Sequence, residues 1–459
     1  MRNVYKRVEP PDVMKGYPVL REDIFFAKIC TDSGETVKIR NTTTEKDFNP
    51  TPDTVSLLEL CTGTNTIEEI IGKLSEQSGE SVEELTEGVN TILKILQQKG
   101  VIVLSNTPLG QGISPAKEVR QKYLTETAQI EITNKCNLSC LHCFNNSGEP
   151  LSDELTTEEI CSLIDVLSSM GVHRLTLTGG EPLVHPDLFE IVEHARKAPM
   201  TVTIFTNGTL ITEEHVEKFK KVGVKVAVSV DSCNEQTHDT FRGKKGALKR
   251  TLQGITLLRA AGLSVTVSVS LSQLNKNELV DTLKYFREHN LTDYQVAEVS
   301  TSGRGLDEVV ITPEEYYQVL VEQLTYEKGV KKVKGLAPKR EDGCGIAQSL
   351  IYVKADGTIL PCHTCCKDMG VGNVRDVDLA EFWDTNETLE MLRRIRAEDD
   401  SNCRGCQYLH FCDGCMTVIA GAVNTYISVT AVLAMHLFLR RKSVLMIRMP
   451  VLAKKHMRQ

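Results

Sequence analysis

The chain has 459 residues, of which 41% are hydrophobic and 25% are charged, values that are typical of globular proteins and argue against a disordered or fibrous chain. Lys and Arg number 53 and Asp and Glu number 61, which gives a net charge of −8. A nucleic-acid-binding surface normally needs a basic excess, so nucleic acid is not expected as a partner. The length predicts about three domains.

Residues 1–105 have the pattern of a small independent domain. Strand-like runs at 24–30 and 35–40 flank turn residues, and two Ser/Thr-x-x-Glu capping boxes at Thr66 and Ser81 open amphipathic helices. A short strand is expected at 101–104. This order of elements predicts a winged-helix-like domain. Residues 106–127, which begin with a run rich in Pro, Gly and Ser, are predicted to be a linker.

From residue 128 the chain alternates between strands and amphipathic helices. This alternation predicts a parallel sheet with right-handed crossovers, here an α/β fold with a partial (β/α)6 TIM-like barrel over residues 128–330. In such a barrel the chemistry belongs at the carboxyl ends of the strands. The six strands are expected at 129–132, 174–178, 201–206, 224–230, 263–270 and 294–299.

The segment CNLSCLHC follows the first barrel strand and contains Cys136, Cys140 and Cys143. Three thiolates at this spacing supply three of the four iron ligands of a cubane cluster, so the fourth iron stays open for another ligand. The alternative is a zinc loop. Structural zinc sites use four ligands, however, and usually contain C-x2-C pairs.

Other polar residues end the next three strands. Gly179 and Gly180 allow close backbone approach to a ligand, and the Glu181 carboxylate can accept hydrogen bonds from an ammonium group. Asn207 ends the third strand and Ser229 the fourth. Each feature alone is also explained by turn chemistry. Their shared position at one barrel rim favours a binding site.

Cysteines return at high density after residue 340, and residues 331–415 are predicted to be a cysteine-rich iron–sulfur domain. Two zinc ribbons are the alternative explanation for so many soft ligands. The eight cysteines of this region are Cys344, Cys362, Cys365, Cys366, Cys403, Cys406, Cys412 and Cys415.

Residues 416–459 form an atypical basic and apolar tail with seven Lys or Arg and no Asp or Glu. Its 24-residue uncharged run satisfies the length of a membrane span, but polar residues interrupt it. The alternatives are a membrane anchor, a helix on the protein, and a foreign tail. The last two are preferred, so a membrane is not expected as a partner. The chain begins without an apolar signal segment, which together with the cysteine pattern predicts a cytoplasmic protein.

The two motifs at the barrel rim resemble those of the radical S-adenosylmethionine superfamily. CNLSCLHC is similar to its cluster-binding motif, and the segment Gly179 to Pro182 to its methionine-binding motif. The resemblance implies a [4Fe–4S] cluster that binds S-adenosylmethionine and, once reduced, cleaves it to a 5′-deoxyadenosyl radical that abstracts hydrogen from a substrate. It implies Glu181 at the amino group, Asn207 and Ser229 nearby, and Arg242 at the carboxylate. An electron donor such as ferredoxin or flavodoxin is an implied partner.

The C-terminal cysteine series resembles the SPASM domain of peptide-modifying radical enzymes. By that pattern Cys344, Cys362 and Cys415 serve one auxiliary iron–sulfur cluster, whereas Cys403, Cys406 and Cys412 serve the other. The chain departs from the pattern in two ways: only two residues separate Cys412 from Cys415, and no cysteine follows. The resemblance therefore implies one or two auxiliary clusters.

The N-terminal pattern resembles the PqqD-like leader-recognition domain of peptide maturases. Strings such as SVDSCNEQTHDTFRGKKGA are similar to thioether-forming maturases of the subtilosin type. The implied function is Cys thioether cross-linking of a ribosomal precursor peptide that is bound through its leader. Another radical substrate is the alternative: a sulfatase-type protein side chain, a peptide carbon–carbon link or epimerisation, or a tetrapyrrole in heme decarboxylation. A non-enzymatic peptide scaffold is a third interpretation.

Overall fold

The structure is a computed structural model that describes residues 16–31, 34–109, 117–299, 302–305, 309–328, 346–348, 350–363 and 369–394. The strands are β1 (Tyr17–Leu20), β2 (Ile24–Thr31), β3 (Gly34–Asn41), β4 (Asp47–Phe48), β5 (Ile102–Ser105), β6 (Lys117–Arg120), β7 (Thr127–Glu131), β8 (Arg174–Thr178), β9 (Thr201–Thr206), β10 (Lys225–Ser229), β11 (Val265–Leu271), β12 (Tyr294–Glu298), β13 (Leu350–Val353), β14 (Thr358–Leu360) and β15 (Gly372–Asn373). The α-helices are α1 (Pro52–Leu60), α2 (Ile67–Ser78), α3 (Val82–Gln98), α4 (Thr157–Ser169), α5 (Leu188–Ala195), α6 (Glu213–Val222), α7 (Glu235–Arg242), α8 (Ala247–Ala260), α9 (Leu279–Glu288), α10 (Pro313–Lys328), α11 (Leu379–Thr385) and α12 (Glu387–Arg394).

The N-terminal unit packs three helices against a small, mostly antiparallel sheet. Both predicted capping boxes are formed: the hydroxyl of Thr66 accepts from the Glu69 amide at 3.1 Å, and that of Ser81 accepts from the Glu84 amide at 3.3 Å. The sheet order is β4-β3-β2-β6, and β1 pairs separately with β5. Both faces of β2 are covered, because its residues alternate between two apolar cores.

The segment predicted as a linker, 106–127, contains a strand. Strand β6 pairs in parallel with β2. Its one apolar residue, Val119, is 1% exposed and packs with Ala27 and Ile29 of β2. A four-residue strand with a single apolar side chain has too little periodicity to be recognised from the sequence, since pairing with β2 determines its conformation.

The six predicted barrel strands are present as β7 to β12, in consecutive order and all parallel. The mixed α/β fold class is confirmed. Central residues such as Ile130, Leu177 and Val228 are fully buried, as expected when helices cover a parallel sheet. Strand β13 continues the sheet in parallel beside β7, and β14 and β15 extend it with antiparallel pairs.

The N-terminal unit docks at the amino ends of the barrel strands. The hydroxyl of Thr201, the first residue of β9, donates to the Thr42 carbonyl at 2.6 Å. Ion pairs join Lys38 to Glu126, which directly precedes β7, and Glu45 to Lys225 at the start of β10. This unit therefore lies opposite the carboxyl ends of the strands.

The tail, 416–459, lies outside the described residues. Among the helices that the structure describes, none has the length and hydropathy needed to cross a bilayer.

Candidate active site

A cavity of about 250 Å³ opens at the carboxyl ends of the parallel strands. The sequence predicts the candidate residues at this rim, because the carboxyl ends of parallel strands lie at the same edge of a sheet. The structure brings eight of them to the cavity wall: Cys136, Cys140, Cys143, Gly179, Gly180, Asn207, Ser229 and Arg242.

Residues 134–148, here called the cysteine loop, are closed at their base by backbone hydrogen bonds. The Cys136 amide donates to the Gly148 carbonyl at 2.8 Å, and the Gly148 amide donates to the Asn134 carbonyl at 3.1 Å. Outside the loop, the Glu154 carboxylate accepts from the Asn134 amide at 2.7 Å. The ends of the loop are thus held by hydrogen bonds within the loop and by the half-buried Glu154 carboxylate.

A second support comes from residues 302–305, which follow β12. Arg304 donates from Nε to the Cys140 carbonyl at 2.8 Å and from Nη1 to the Ser147 carbonyl at 2.8 Å. Gly303 has a φ of 61°, and a Cβ there would lie 2.2 Å from the Cys143 carbonyl oxygen. Only glycine fits so close to the loop, and Arg304 satisfies two of its carbonyl groups.

The three cysteines are free thiols that border the same cavity. Burial raises the pKa of Cys136 to about 12 and also raises the pKa of Cys140 above its ordinary value. The raised pKa values favour the protonated thiols of Cys136 and Cys140, and iron binding displaces these protons. Within the described residues, no three Cys, His, Asp or Glu side chains converge as ligands of a single metal ion must. The donor set of three thiols around a cavity fits a cubane cluster better than a zinc ion.

Gly179 and Gly180 pack against the backbone of the cysteine loop as well as lining the cavity. Gly179 has a φ of 149°, and a Cβ there would lie 2.3 Å from the Thr133 carbonyl oxygen. A Cβ on Gly180 would lie 2.3 Å from the Lys135 carbonyl oxygen. The two glycines therefore bring the end of β8 into direct contact with the residues that precede Cys136.

Glu181 is fully buried, and its carboxylate accepts three hydrogen bonds from the protein. Oε1 accepts from the Thr206 hydroxyl at 2.6 Å and from the Leu183 amide at 3.1 Å, while Oε2 accepts from the Asn207 amide at 2.8 Å. One acceptor position remains, on Oε2. Burial raises the pKa of Glu181. The side chain ties the end of β8 to the end of β9.

Asn207 and Ser229 present polar groups to the cavity from β9 and β10. Asn207 donates from Nδ2 to Oδ1 of Asn137 at 2.8 Å, so this amide is oriented by the cysteine loop. Ser229 is 7% exposed and is the last residue of β10. The ends of β9 and β10 thus bring both side chains to the cavity, and the cysteine loop orients the Asn207 amide.

Arg242 ends α7, a helix that the sequence analysis did not predict, and it connects the fourth strand to the cysteine loop. It pairs with the buried Asp231 through Nε at 2.6 Å and through Nη2 at 3.0 Å, and Nη1 lies 3.9 Å from the Cys140 sulfur. Burial lowers the pKa of Arg242, but the charge of Asp231 outweighs it and the net pKa is raised. Arg242 is thus a permanent cation beside a candidate cluster ligand.

Sequence reasoning missed a buried polar group beside the cysteine loop. The Tyr352 hydroxyl of β13 and the Nδ2 of Asn145 both donate to Oε1 of Glu131 at the end of β7. Burial raises the pKa of Glu131 and of Tyr352. Tyr352 and Asn145 line the cavity. Tyr352 lies in the apolar strand run LIYV, and nothing in that run indicates that its hydroxyl binds a buried carboxylate.

Arg304 and His363 also line the cavity and were missed. Each belongs to a segment far from the barrel motifs in sequence. His363 is adjacent to Cys362, whose sulfur lies 3.7 Å from His363 Nδ1. Among the predicted auxiliary ligands the structure describes Cys362, which is half-buried against the core. The predictions for Cys344, Cys403, Cys406, Cys412 and Cys415 concern positions outside the described residues.

Comparison with known proteins identifies two families in the chain. The radical SAM superfamily model matches residues 130–286, and the model of SPASM, an iron–sulfur cluster-binding domain, matches residues 344–407. The AdoMet-dependent heme synthase of Methanosarcina barkeri is 32% identical over 328 residues, covering 65% of this chain and 93% of that protein.

Two further relatives cover more of this chain. The antilisterial bacteriocin subtilosin biosynthesis protein AlbA of Bacillus subtilis is 29% identical over 391 residues, which is 82% of this chain and 87% of that protein. The crystal structure of Streptococcus suis SuiB bound to precursor peptide SuiA has the same fold, with a TM-score of 0.61 at 16% identity, covering 86% of this chain and 95% of that one. The chain therefore belongs to the radical SAM superfamily, as an enzyme with a [4Fe–4S] cluster, S-adenosylmethionine as its cofactor and a SPASM domain for auxiliary iron–sulfur clusters.

Proposed function

We propose that this enzyme modifies a ribosomally synthesised precursor peptide and forms Cys thioether cross-links in it. The observation that carries the proposal is an unpaired strand edge in the N-terminal unit. Strand β4 pairs with Ile39 and Arg40 of β3 and with no other residue of that strand. Residues 34–38 of β3 therefore have a free edge among the described strands, and a peptide leader can add to such an edge as a further strand.

The acidic helix starts of the N-terminal unit favour a peptide over DNA. Helices α2 and α3 begin with acidic residues, Glu68 and Glu69 in one and Glu83 and Glu84 in the other, which repel phosphates. Main-chain pairing along β3 tolerates varied sequences, as a leader-binding site requires. We assign residues 1–105 to leader recognition, 128–330 to the radical core and 331–415 to the auxiliary clusters.

The relatives also support a peptide substrate. The subtilosin biosynthesis protein matches 82% of this chain, whereas the heme synthase matches 65%. The match to the subtilosin biosynthesis protein therefore extends beyond the region that this chain shares with the heme synthase. The heme synthase has the higher identity, however, at 32% against 29%. Tetrapyrrole chemistry is therefore the second candidate function.

In the proposed site, Cys136, Cys140 and Cys143 hold the [4Fe–4S] cluster. When bound, the cluster and S-adenosylmethionine supply a 5′-deoxyadenosyl radical for hydrogen abstraction. The chain binds and orients the cofactor and keeps water out. Gly179 and Gly180 let the cofactor approach the backbone.

The remaining contacts come from Asn207, Ser229 and Arg242 on the cavity wall and from Glu181, which is fully buried and is not among the residues that line the cavity. Oε2 of Glu181 offers its last acceptor position to the cofactor amino group, and Asn207 and Ser229 offer polar groups nearby. Arg242 supplies a positive charge for the cofactor carboxylate while it stays paired with Asp231. By the family pattern, Cys344, Cys362 and Cys415 bind one auxiliary cluster, and Cys403, Cys406 and Cys412 bind the other.

The two ends of the barrel impose a condition on the substrate. The N-terminal unit contacts the amino ends of the strands, and the cavity lies at their carboxyl ends. A five-residue strand spans about 17 Å. A leader held on β3 therefore needs a spacer of at least about five extended residues before the modified segment.

The test uses the full chain with reconstituted clusters and a short Cys-containing peptide encoded beside its gene. We expect 5′-deoxyadenosine release and a peptide whose mass falls by the hydrogens lost in each cross-link, and whose Cys no longer reacts with a thiol reagent. Fragmentation then locates the sulfur-to-carbon bond. An unmodified peptide together with turnover of a tetrapyrrole would favour the second candidate function.

Leader binding is tested separately by amide hydrogen exchange. Adding the leader should slow exchange in peptides that cover residues 34–38, whereas the central strand β10 serves as the internal control. Unchanged exchange on β3 would contradict the leader-binding role.

We further propose that the enzyme works in the reducing cytoplasm, where thiol ligands stay free to bind iron. We also propose an electron donor such as ferredoxin or flavodoxin as its partner.

A further inference from the structure

A group of exposed lysines surrounds the cysteine loop. Lys135 directly precedes Cys136, and Lys244 and Lys245 lie in the turn between α7 and α8, with Lys249 in the first turn of α8. All four are exposed. We call these four residues the basic patch.

The basic patch is joined to the cysteine loop by direct contacts. Lys244 Nζ donates to the Asn137 carbonyl at 3.1 Å. A Cβ on Gly243 would lie 2.3 Å from the Ser139 carbonyl oxygen, and the Leu141 amide donates to the Phe241 carbonyl at 2.9 Å. The turn that carries the lysines therefore packs against the segment between the first two cysteines.

The lysines of the basic patch form no ion pair among the described residues, unlike many lysines elsewhere. Asp239, in the preceding helix α7, accepts from the backbone amides of Gly246 and Leu248. By contrast, the following lysines pair with an Asp or Glu: Lys28, Lys38, Lys122, Lys218, Lys221, Lys225, Lys276 and Lys284. The chain as a whole has a net charge of −8. The basic patch is therefore a positively charged region of its surface, and its lysines have no carboxylate ion-pair partner among the described residues.

An apolar side chain lies beside this field. Leu141, between Cys140 and Cys143, is 43% exposed, and the neighbouring Ser139 is also exposed. The cysteine loop thus reaches the protein surface where the basic patch lies. Because electron transfer slows steeply with distance, a donor bound at this surface would be well placed to reduce a cluster held by these cysteines.

We propose that the basic patch and Leu141 form the docking surface for an acidic one-electron donor protein of the flavin class. The inference rests on the proposed assignment of Cys136, Cys140 and Cys143 to the cluster. One electron passes from the reduced donor to the oxidised cluster, so the donor is oxidised by one electron and the cluster is reduced by one. Charge complementarity and a small apolar centre suit a transient complex that forms quickly and is sensitive to salt.

The test reverses charge at Lys245 and Lys249, whose side chains make no hydrogen bond to the cysteine loop among the described contacts. The full chain with reconstituted clusters is assayed for 5′-deoxyadenosine release without peptide, driven either by reduced flavodoxin or by dithionite. The double variant K245E/K249E should lower the flavodoxin-driven rate at low salt by on the order of tenfold and weaken its salt dependence. The dithionite-driven rate and the iron content should not change.

The matched control is K197E/K220E, which reverses two exposed lysines near α5 and on α6. It should leave the flavodoxin-driven rate unchanged. Equal flavodoxin-driven rates in K245E/K249E and the unmodified chain would overturn the proposal. Slowing with both reductants would also overturn it, because the lysines would then act on the loop itself.

A third outcome distinguishes another anionic occupant. If K245E/K249E keeps the flavodoxin-driven rate but loses turnover of the precursor peptide, the basic patch binds peptide and the proposal is wrong. The 5′-deoxyadenosine assay itself contains no peptide, so failure of the proposed cross-linking function leaves the comparison of the two reductants intact.

Discussion

Gly180 packs directly against the cysteine loop. We therefore expect Gly180→Ala to weaken cluster binding even when S-adenosylmethionine is absent. The added Cβ would lie 2.3 Å from the Lys135 carbonyl oxygen and 2.6 Å from the Asn134 carbonyl oxygen. Both atoms belong to backbone that leads into Cys136, so the loop must move by roughly 1 Å. Overpacking of this kind costs about 1–3 kcal/mol.

The assay is iron content after anaerobic reconstitution without S-adenosylmethionine, together with the melting temperature of the loaded protein. Gly180→Ala should lose a large part of the iron of one cubane and melt several degrees lower. The control is Gly148→Ala in the same loop, where an added Cβ meets nothing within 4 Å. If Gly180→Ala matched Gly148→Ala in iron content and melting temperature, the packing argument would be refuted.

Three further predictions concern the cavity wall. Replacing all three cysteines of the loop by Ala should remove about four irons and abolish 5′-deoxyadenosine release, and continued release would show that the cluster lies elsewhere. Arg242→Gln should lower the midpoint potential of the cluster, measured by potentiometric EPR, because a cation beside the Cys140 sulfur stabilises the reduced state. Tyr352→Phe removes a donor that lowers the pKa of Glu131, so that pKa, already raised by burial, should rise further. The loss of melting temperature should therefore be larger at a pH where Glu131 is ionised than at a lower pH where it is protonated, and the reverse order would contradict this role.

Features encoded within a few consecutive residues were predictable from the sequence. The capping boxes at Thr66 and Ser81, the six barrel strands and the order of the polar residues along them all depend on local periodicity or on local hydrogen bonds. The rule that parallel strands end at one edge was then sufficient to place the cysteine loop, Asn207 and Ser229 at one cavity.

Contacts between distant segments depended on the tertiary structure. Arg304 supports the carbonyl of Cys140 across 164 positions of sequence, and Tyr352 reaches Glu131 across 221. Neither pair has a local pattern, because each forms only when the sheet brings β7 next to β13 or the end of β12 onto the cysteine loop. The sequence by itself determined which chemistry the strand ends carry. The packing of the sheet decided which side chains orient that chemistry, since burial and hydrogen-bond partners are properties of the assembled structure.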